Sequence, residues 1–180
     1  MTDSRTIIRK LDVRRMNRYL ADMCSLDRKI FRGTAWKEHN FRRPLSKKFE
    51  LSSVAIHRKK AIGYLVASEY GGKYVHVHRL AVDSHFRNKC IGARLLSKLE
   101  HACSGTNIVS VTLESLRSRR DANSFYEHMK FVRISAQELA EYLKEKHKTR
   151  FRHRYFGLTP TGKVLVYKKS QKKNIRSKTP

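Results

Sequence analysis

Acidic residues are scarce in this chain: 15 Asp and Glu stand against 41 Lys and Arg in 180 residues, a formal charge of +26. Such an excess goes far beyond what solubility requires and implies attraction to polyanions. No acidic residue follows Lys146, so positive charge is concentrated at that end. Cysteine is sparse too. Cys24, Cys90 and Cys103 are few, unevenly spaced and odd in number, which argues against a disulfide framework and makes reduced thiols the default. Long apolar runs are missing. No stretch approaches the roughly 20 apolar residues of a membrane span, and Met1-Thr-Asp-Ser-Arg5 does not open an apolar signal segment. The expectation is a soluble, intracellular, cytoplasmic protein with no membrane contact. With 39% apolar residues the chain can bury a sizeable core. A single domain over residues 1–170 is expected, followed by a basic tail, 171–180, with too little apolar content to order itself.

The patterning that is present reads as a mixed α/β chain. Residues 5–11 form a first strand, and Asp12 caps a helix from Val13 whose buried face carries Leu11, Met16, Tyr19, Leu20 and Met23. Residues 32–48 read as irregular chain or short helices. Strands are expected over 49–57 and 61–70, joined by Arg58-Lys59-Lys60, with Gly71-Gly72 turning into a third antiparallel strand. Further on come a strand over 107–113, a capping box at Ser135 and Glu138 opening a helix through about Lys146, and strands over 151–156 and 164–168.

Chemistry concentrates where the third strand ends. Tyr74–Val82 alternates His76, His78, Leu80 and Val82 on one face with Val75, Val77, Arg79 and Ala81 on the other. A polar turn leads into a helix carrying Leu95, Leu96 and Leu99 at helical spacing. Backbone N–H groups of Cys90, Ile91, Gly92 and Ala93 are the open donors of its first turn. With the helix dipole they suit a pyrophosphate, to which Arg87 adds a charged contact.

Here the chain resembles the GNAT superfamily of acyl-CoA-dependent N-acyltransferases, whose signature is Arg/Gln-x-x-Gly-x-Gly/Ala after a central strand. The residues are Arg87-Asn88-Lys89-Cys90-Ile91-Gly92, followed by Ala93. A second element, Ala122-Asn-Ser-Phe-Tyr126-Glu-His-Met-Lys130-Phe131, looks like the family's Ala-x-x-Phe-Tyr-x-x-x-Gly-Phe segment. Three positions depart from the pattern: Cys90 and Lys130 replace glycines, and Arg119 stands where an asparagine is common. The resemblance implies a GNAT-like mixed, mostly antiparallel sheet of six to seven strands flanked by helices, with two central strands splayed to admit pantetheine. It implies acetyl-CoA as co-substrate, held by Leu80, Ala81 and Val82 and the loop from Arg87 to Ala93, and Tyr126 as the acid that protonates the departing thiolate. The order His76-x-His78-x-Leu-Ala-Val82 with Phe125-Tyr126 looks most like the arylalkylamine N-acetyltransferases, in which two such histidines help deprotonate the amine.

Imidazole titrates near neutrality, so His76 and His78 suit a base. Each equally suits a hydrogen-bonded core position, and Tyr126 an aromatic packed under its helix. In some GNAT branches a glutamate takes the position of His76, which favours it over His78. Cys90 beside Arg87 and Lys89 raises a covalent acyl-cysteine route. The N–H groups there are needed for pyrophosphate, which would cover the thiol, so direct transfer is preferred. No Cys or carboxylate stands at ligand spacing from the His-x-His pair, so no metal is expected. Arg150, Arg152 and Arg154 alternate with aromatics, and with Lys168, Lys169, Lys172 and Lys173 they form a candidate nucleic-acid face. The expected function is therefore acetyl transfer to a primary amine. The acceptor is a small amine, or an amino group on a protein or aminoacyl-tRNA, with tRNA, the ribosome or another polyanion as partner. The other reading is a GNAT fold without chemistry that binds nucleic acid.

Overall fold

The computed structural model describes residues 6–135, 137, 138, 141 and 164–171. Seven strands, β1 (Ile7–Lys10), β2 (Ser53–His57), β3 (Lys60–Tyr70), β4 (Tyr74–Val82), β5 (Ser110–Leu116), β6 (Val132–Arg133) and β7 (Val164–Ser170), hydrogen-bond in the order β1-β2-β3-β4-β5-β7-β6. The helices are α1 (Val13–Phe31), α2 (Glu38–Arg42), α3 (Lys48–Leu51), α4 (Ile91–Cys103) and α5 (Arg120–His128). β1–β2, β2–β3, β5–β7 and β6–β7 pair antiparallel, whereas β4 and β5 run parallel and are joined by the crossover through α4 that parallel neighbours require. The chain divides into two compact units, one of Met1–Ser68 with His78–Cys103, the other of Glu69–Val77 with Ser104–Pro180.

In the first unit, the extended Asp12 accepts the Arg15 N–H at 2.7 Å and so starts α1. Met16, Tyr19, Leu20, Met23 and Leu26 then turn one stripe of that helix onto Val54, Tyr64, Val66 and Ala81. Met23 is wholly buried, and a side chain of that size contributes about 1.5–3 kcal/mol through burial. A polar knot ties the same elements together. The fully buried Asp27 accepts from the Tyr64 hydroxyl and the Trp36 N–H, and the Arg79 Nε lies 3.5 Å from its carboxylate. The Arg79 guanidinium also stacks over Phe31 and Trp36, at 4.2 and 5.1 Å, and donates to the Thr34 carbonyl. Gly63 is a point of close approach, since a Cβ there would lie 2.9 Å from the Ala81 carbonyl oxygen.

In this unit two expectations are corrected, one of a boundary and one of an alternation. Residues 49–57 are not one strand: α3 occupies Lys48–Leu51, and β2 begins at Ser53. The buried Lys48 causes this, because its Nζ donates to the Phe41 and Arg43 carbonyls at 2.8 and 2.6 Å and pins the chain to the end of α2. Desolvation lowers its pKa. Along β4, the alternation expected from the sequence breaks after His78. Both His78 and Arg79 reach Trp36, and Ala81 joins the α1 core while Leu80 and Val82 are half-buried.

In the second unit β5 starts at Ser110 rather than 107, and β7 sets its length by pairing with all seven residues from Ser110↔Ser170 to Leu116↔Val164. β4 and β5 pair in parallel from Tyr74↔Ser110 to Val77↔Leu113. Asn123 closes the turn into α5 by donating its Nδ2 to the Leu116 and Arg117 carbonyls, at 3.1 and 3.2 Å. The two-residue β6, unforeseen in the sequence, pairs with β7. Ser135 and Glu138 make both bonds of the expected capping box, at 3.1 and 3.2 Å. The expected strand over 151–156 and most of the helix before it lie outside the described residues.

Candidate active site

In the first unit, the residues from Asp83 to Ala93 lead from β4 into α4. Asp83 accepts the His85 N–H at 3.0 Å and opens the short 3-10 turn Ser84–Phe86. Asn88 and Cys90 then take left-handed backbone conformations, φ +57° and +56°. Cys90 is the residue just before the helix, since its carbonyl accepts the Arg94 N–H at 2.9 Å. Ile91, Gly92 and Ala93 follow as the first helical turn, whose N–H groups have no intrahelical partner. No carboxylate stands in that turn, and Arg87, Asn88, Lys89 and Cys90 are all exposed. Such a terminus attracts a polyphosphate through aligned N–H groups and dipole together.

The two histidines enter separate networks. In the second unit His76, 1% exposed, has its Nδ1 3.2 Å from the Thr112 hydroxyl. Thr112 Oγ1 is also 3.4 Å from the Tyr70 hydroxyl and donates to the Val75 carbonyl at 3.3 Å. Tyr70 in turn stacks on Tyr74, with centroids 5.2 Å apart. In the first unit His78, 4% exposed, has its Nε2 2.8 Å from the buried Ser68 hydroxyl, and its ring lies 6.2 Å from that of Trp36. Trp36 continues an aromatic run to Phe41 and Tyr64.

Tyr126 is buried on α5, its ring against Phe125, Phe131 and Tyr167 at 5.4, 6.1 and 5.8 Å. Burial pushes its hydroxyl up to about 12, outweighing the opposite pull of Arg119. A phenol in that state holds its proton throughout the neutral range.

Sequence reasoning missed several of these groups. Thr112, Tyr70, Ser68 and Trp36 belong to strands and loops read only for their periodicity. Glu114 follows Thr112 by two residues on β5 and therefore shares its face; it is half-buried, with one carboxylate oxygen shut off from water. Of the expected nucleic-acid face, Arg150, Arg152, Arg154, Lys172 and Lys173 lie outside the described residues. Lys168 is 3.7 Å from Glu138, and Lys169 lies over the Phe131 ring. Among the described residues, no three His, Cys, Asp or Glu side chains stand together as metal ligands, and no helix is long and apolar enough to cross a membrane.

The family model for the acetyltransferase (GNAT) family matches residues 20–131, more than half of the chain. None of the curated proteins matches it. Many solved structures share its fold. The ribosomal-protein-S18-alanine N-acetyltransferase from Escherichia coli is similar over 95% of this chain and 99% of its own, with 15% identity and a TM-score of 0.67. Arabidopsis thaliana Naa50, in complex with the bisubstrate analogue CoA-Ac-MVNAL, is similar over 92% and 98%, with 16% identity and a TM-score of 0.64. An aminoglycoside 6'-acetyltransferase type Ii is similar over 92% and 97%, with 16% identity and a TM-score of 0.67.

Proposed function

Because the chain belongs to the GNAT acetyltransferase family, we propose that it is an N-acetyltransferase that moves acetyl from acetyl-CoA to a primary amine by direct attack. The observation that carries this reading is the acid-free first turn of α4, preceded by the exposed, left-handed Asn88 and Cys90. It supports Arg87, Asn88, Lys89, Cys90, Ile91, Gly92 and Ala93 as the pyrophosphate cradle. Leu80, Ala81 and Val82, at the end of β4 just before that loop, are the proposed contacts for pantetheine.

Direct attack needs a neutral amine, an acceptor for its proton and a donor for the leaving sulfur. Tyr126 is the donor, its proton held by burial. His76 is preferred to His78 as the base because a glutamate takes its position in some GNAT branches; each ring has one nitrogen engaged, by Thr112 and by Ser68 respectively. Glu114, on the Thr112 face of β5, is the other candidate for this task. Comparing His76→Gln, His78→Gln and Glu114→Gln distinguishes them: the base is the residue whose loss removes the acid limb of kcat.

The acceptor belongs to a macromolecule carrying negative charge, an aminoacyl group on tRNA or an amino group on a protein near the ribosome. Helix α1 supports this. Its exposed arc carries Arg14, Arg18, Arg28 and Lys29, spanning about 22 Å at 1.5 Å per residue. Both its carboxylates are engaged elsewhere, Asp22 by the Ala61 N–H at 2.9 Å and Asp27 in the buried knot.

Calorimetric titration with acetyl-CoA in moderate salt is the first test, with Arg87→Ala/Gly92→Glu as control. Saturable one-site binding lost in the control is expected; weak binding abolished by salt and indifferent to the control would overturn the proposal. Turnover of charged tRNA should then fall steeply with salt and in Arg14→Gln/Arg18→Gln/Arg28→Gln. A small aryl- or alkylamine that is turned over equally well in both cases would replace the macromolecular acceptor.

A further inference from the structure

The Thr112 hydroxyl touches three groups, and a hydroxyl has one proton and two lone pairs. One neighbour, the Val75 carbonyl at 3.3 Å, can only accept, so the Thr112 proton goes there. The other two, Tyr70 Oη at 3.4 Å and His76 Nδ1 at 3.2 Å, must then both donate to Thr112. No other assignment satisfies all three contacts. In a site this buried, with His76 1%, Thr112 3% and Tyr70 6% exposed, leaving one unmade is costly.

We infer that Thr112 is a positioning residue that fixes neutral His76 in its Nδ1–H tautomer, so that Nε2 carries the lone pair. The register of the parallel ladder builds the device. His76 is paired with Thr112 and Val75 with Val111, so the threonine meets the imidazole beside it and the carbonyl of the preceding residue. Tyr70 supplies the second donor, and its stacking on Tyr74 holds that donor in place. The kinetic consequence rests on the proposal that His76 is the base: the proton would leave the amine for Nε2, and the resulting imidazolium would keep its Nδ1–H on Thr112.

Ring nitrogens of a neutral histidine are told apart by long-range 1H–15N correlation spectra, with the His76 signals assigned by their loss in His76→Gln. In the wild-type protein, at a pH where the ring is neutral, Nδ1 should show the protonated-nitrogen shift and Nε2 the lone-pair shift. Thr112→Ser should preserve that pattern. Thr112→Val, which keeps the shape and removes the acceptor, should displace it and lower kcat on the order of 10- to 100-fold, with little change in the KM for acetyl-CoA. A wild-type ring protonated on Nε2 overturns the inference without recourse to any variant, as does an unchanged tautomer in Thr112→Val. If the tautomer responds as described while His76→Gln keeps full kcat, the inference stands and the assignment of His76 as base fails.

Discussion

Cys90 and Lys130 share one backbone conformation, φ +56° and +65°, and each stands where the GNAT pattern has glycine. The fold has kept the left-handed turn while the sequence has given up the residue best suited to it. An L-residue there carries a strain of about 1–2 kcal/mol, partly offset because glycine loses more freedom on folding. Cys90→Gly and Lys130→Gly should each raise stability by about 0.5–1 kcal/mol, read as a higher urea midpoint at unchanged slope. A lower midpoint in both would mean that the side chains contribute more than the backbone loses.

The three thiols should separate sharply in reactivity. Cys90 is exposed, whereas burial raises the pKa of Cys24 and pushes Cys103 up to about 11. A disulfide reagent at neutral pH should therefore titrate one fast thiol, absent in Cys90→Ser and slowed by saturating acetyl-CoA. A fast thiol indifferent to acetyl-CoA would count against the cradle.

Removing the Asp27 carboxylate should be among the most damaging changes in the first unit. It leaves the Tyr64 hydroxyl, the Trp36 N–H and the Arg79 guanidinium short of their buried acceptor. Asp27→Ala should cost about 3–5 kcal/mol, as expected when one member of a buried charged network is lost. Tyr64→Phe, which deletes one bond, should cost about 1–2 kcal/mol. Urea unfolding checks both, and a cost for Asp27→Ala no greater than for Tyr64→Phe would show that the knot does not act as a unit.

Tyr126 should give kcat no alkaline limb in the working range. Its pKa is raised from the ordinary value near 10 to about 12, so the fold favours the protonated phenol. The associated stability is fully present below pH 10 and is lost as pH rises toward 12. Tyr126→Phe should therefore lower kcat by a factor that is constant between pH 7 and 9, and the stability difference between the two proteins should be equally flat. A stability difference that changes across this interval would place the phenol's titration lower than its burial implies.

What could be read in the sequence was the part carried by local pattern. Arg87 to Ala93 follow a strand and open a helix, so that junction is contiguous and legible; Tyr126 likewise sits within a contiguous segment. The partners that give His76 and His78 their character are not contiguous. Thr112 reaches His76 only through the β4–β5 register, and Ser68 reaches His78 only across neighbouring strands. Period-two reading carried Leu80 and Val82 onto the histidine face because it cannot register the break after His78. Phe49 looked like the start of a strand because β-propensity ignores the pull of Lys48 on two distant carbonyls.

The arc along α1 has one more property. Three of its four cations are arginines, which stay charged at every pH a cell reaches, and the fourth is a lysine exposed to water. With the helix's own carboxylates turned to other tasks, acidification has no counter-charge on that arc to neutralise. Dissolved ions therefore set the reach of its pull on a polyanion, about 8 Å at physiological strength.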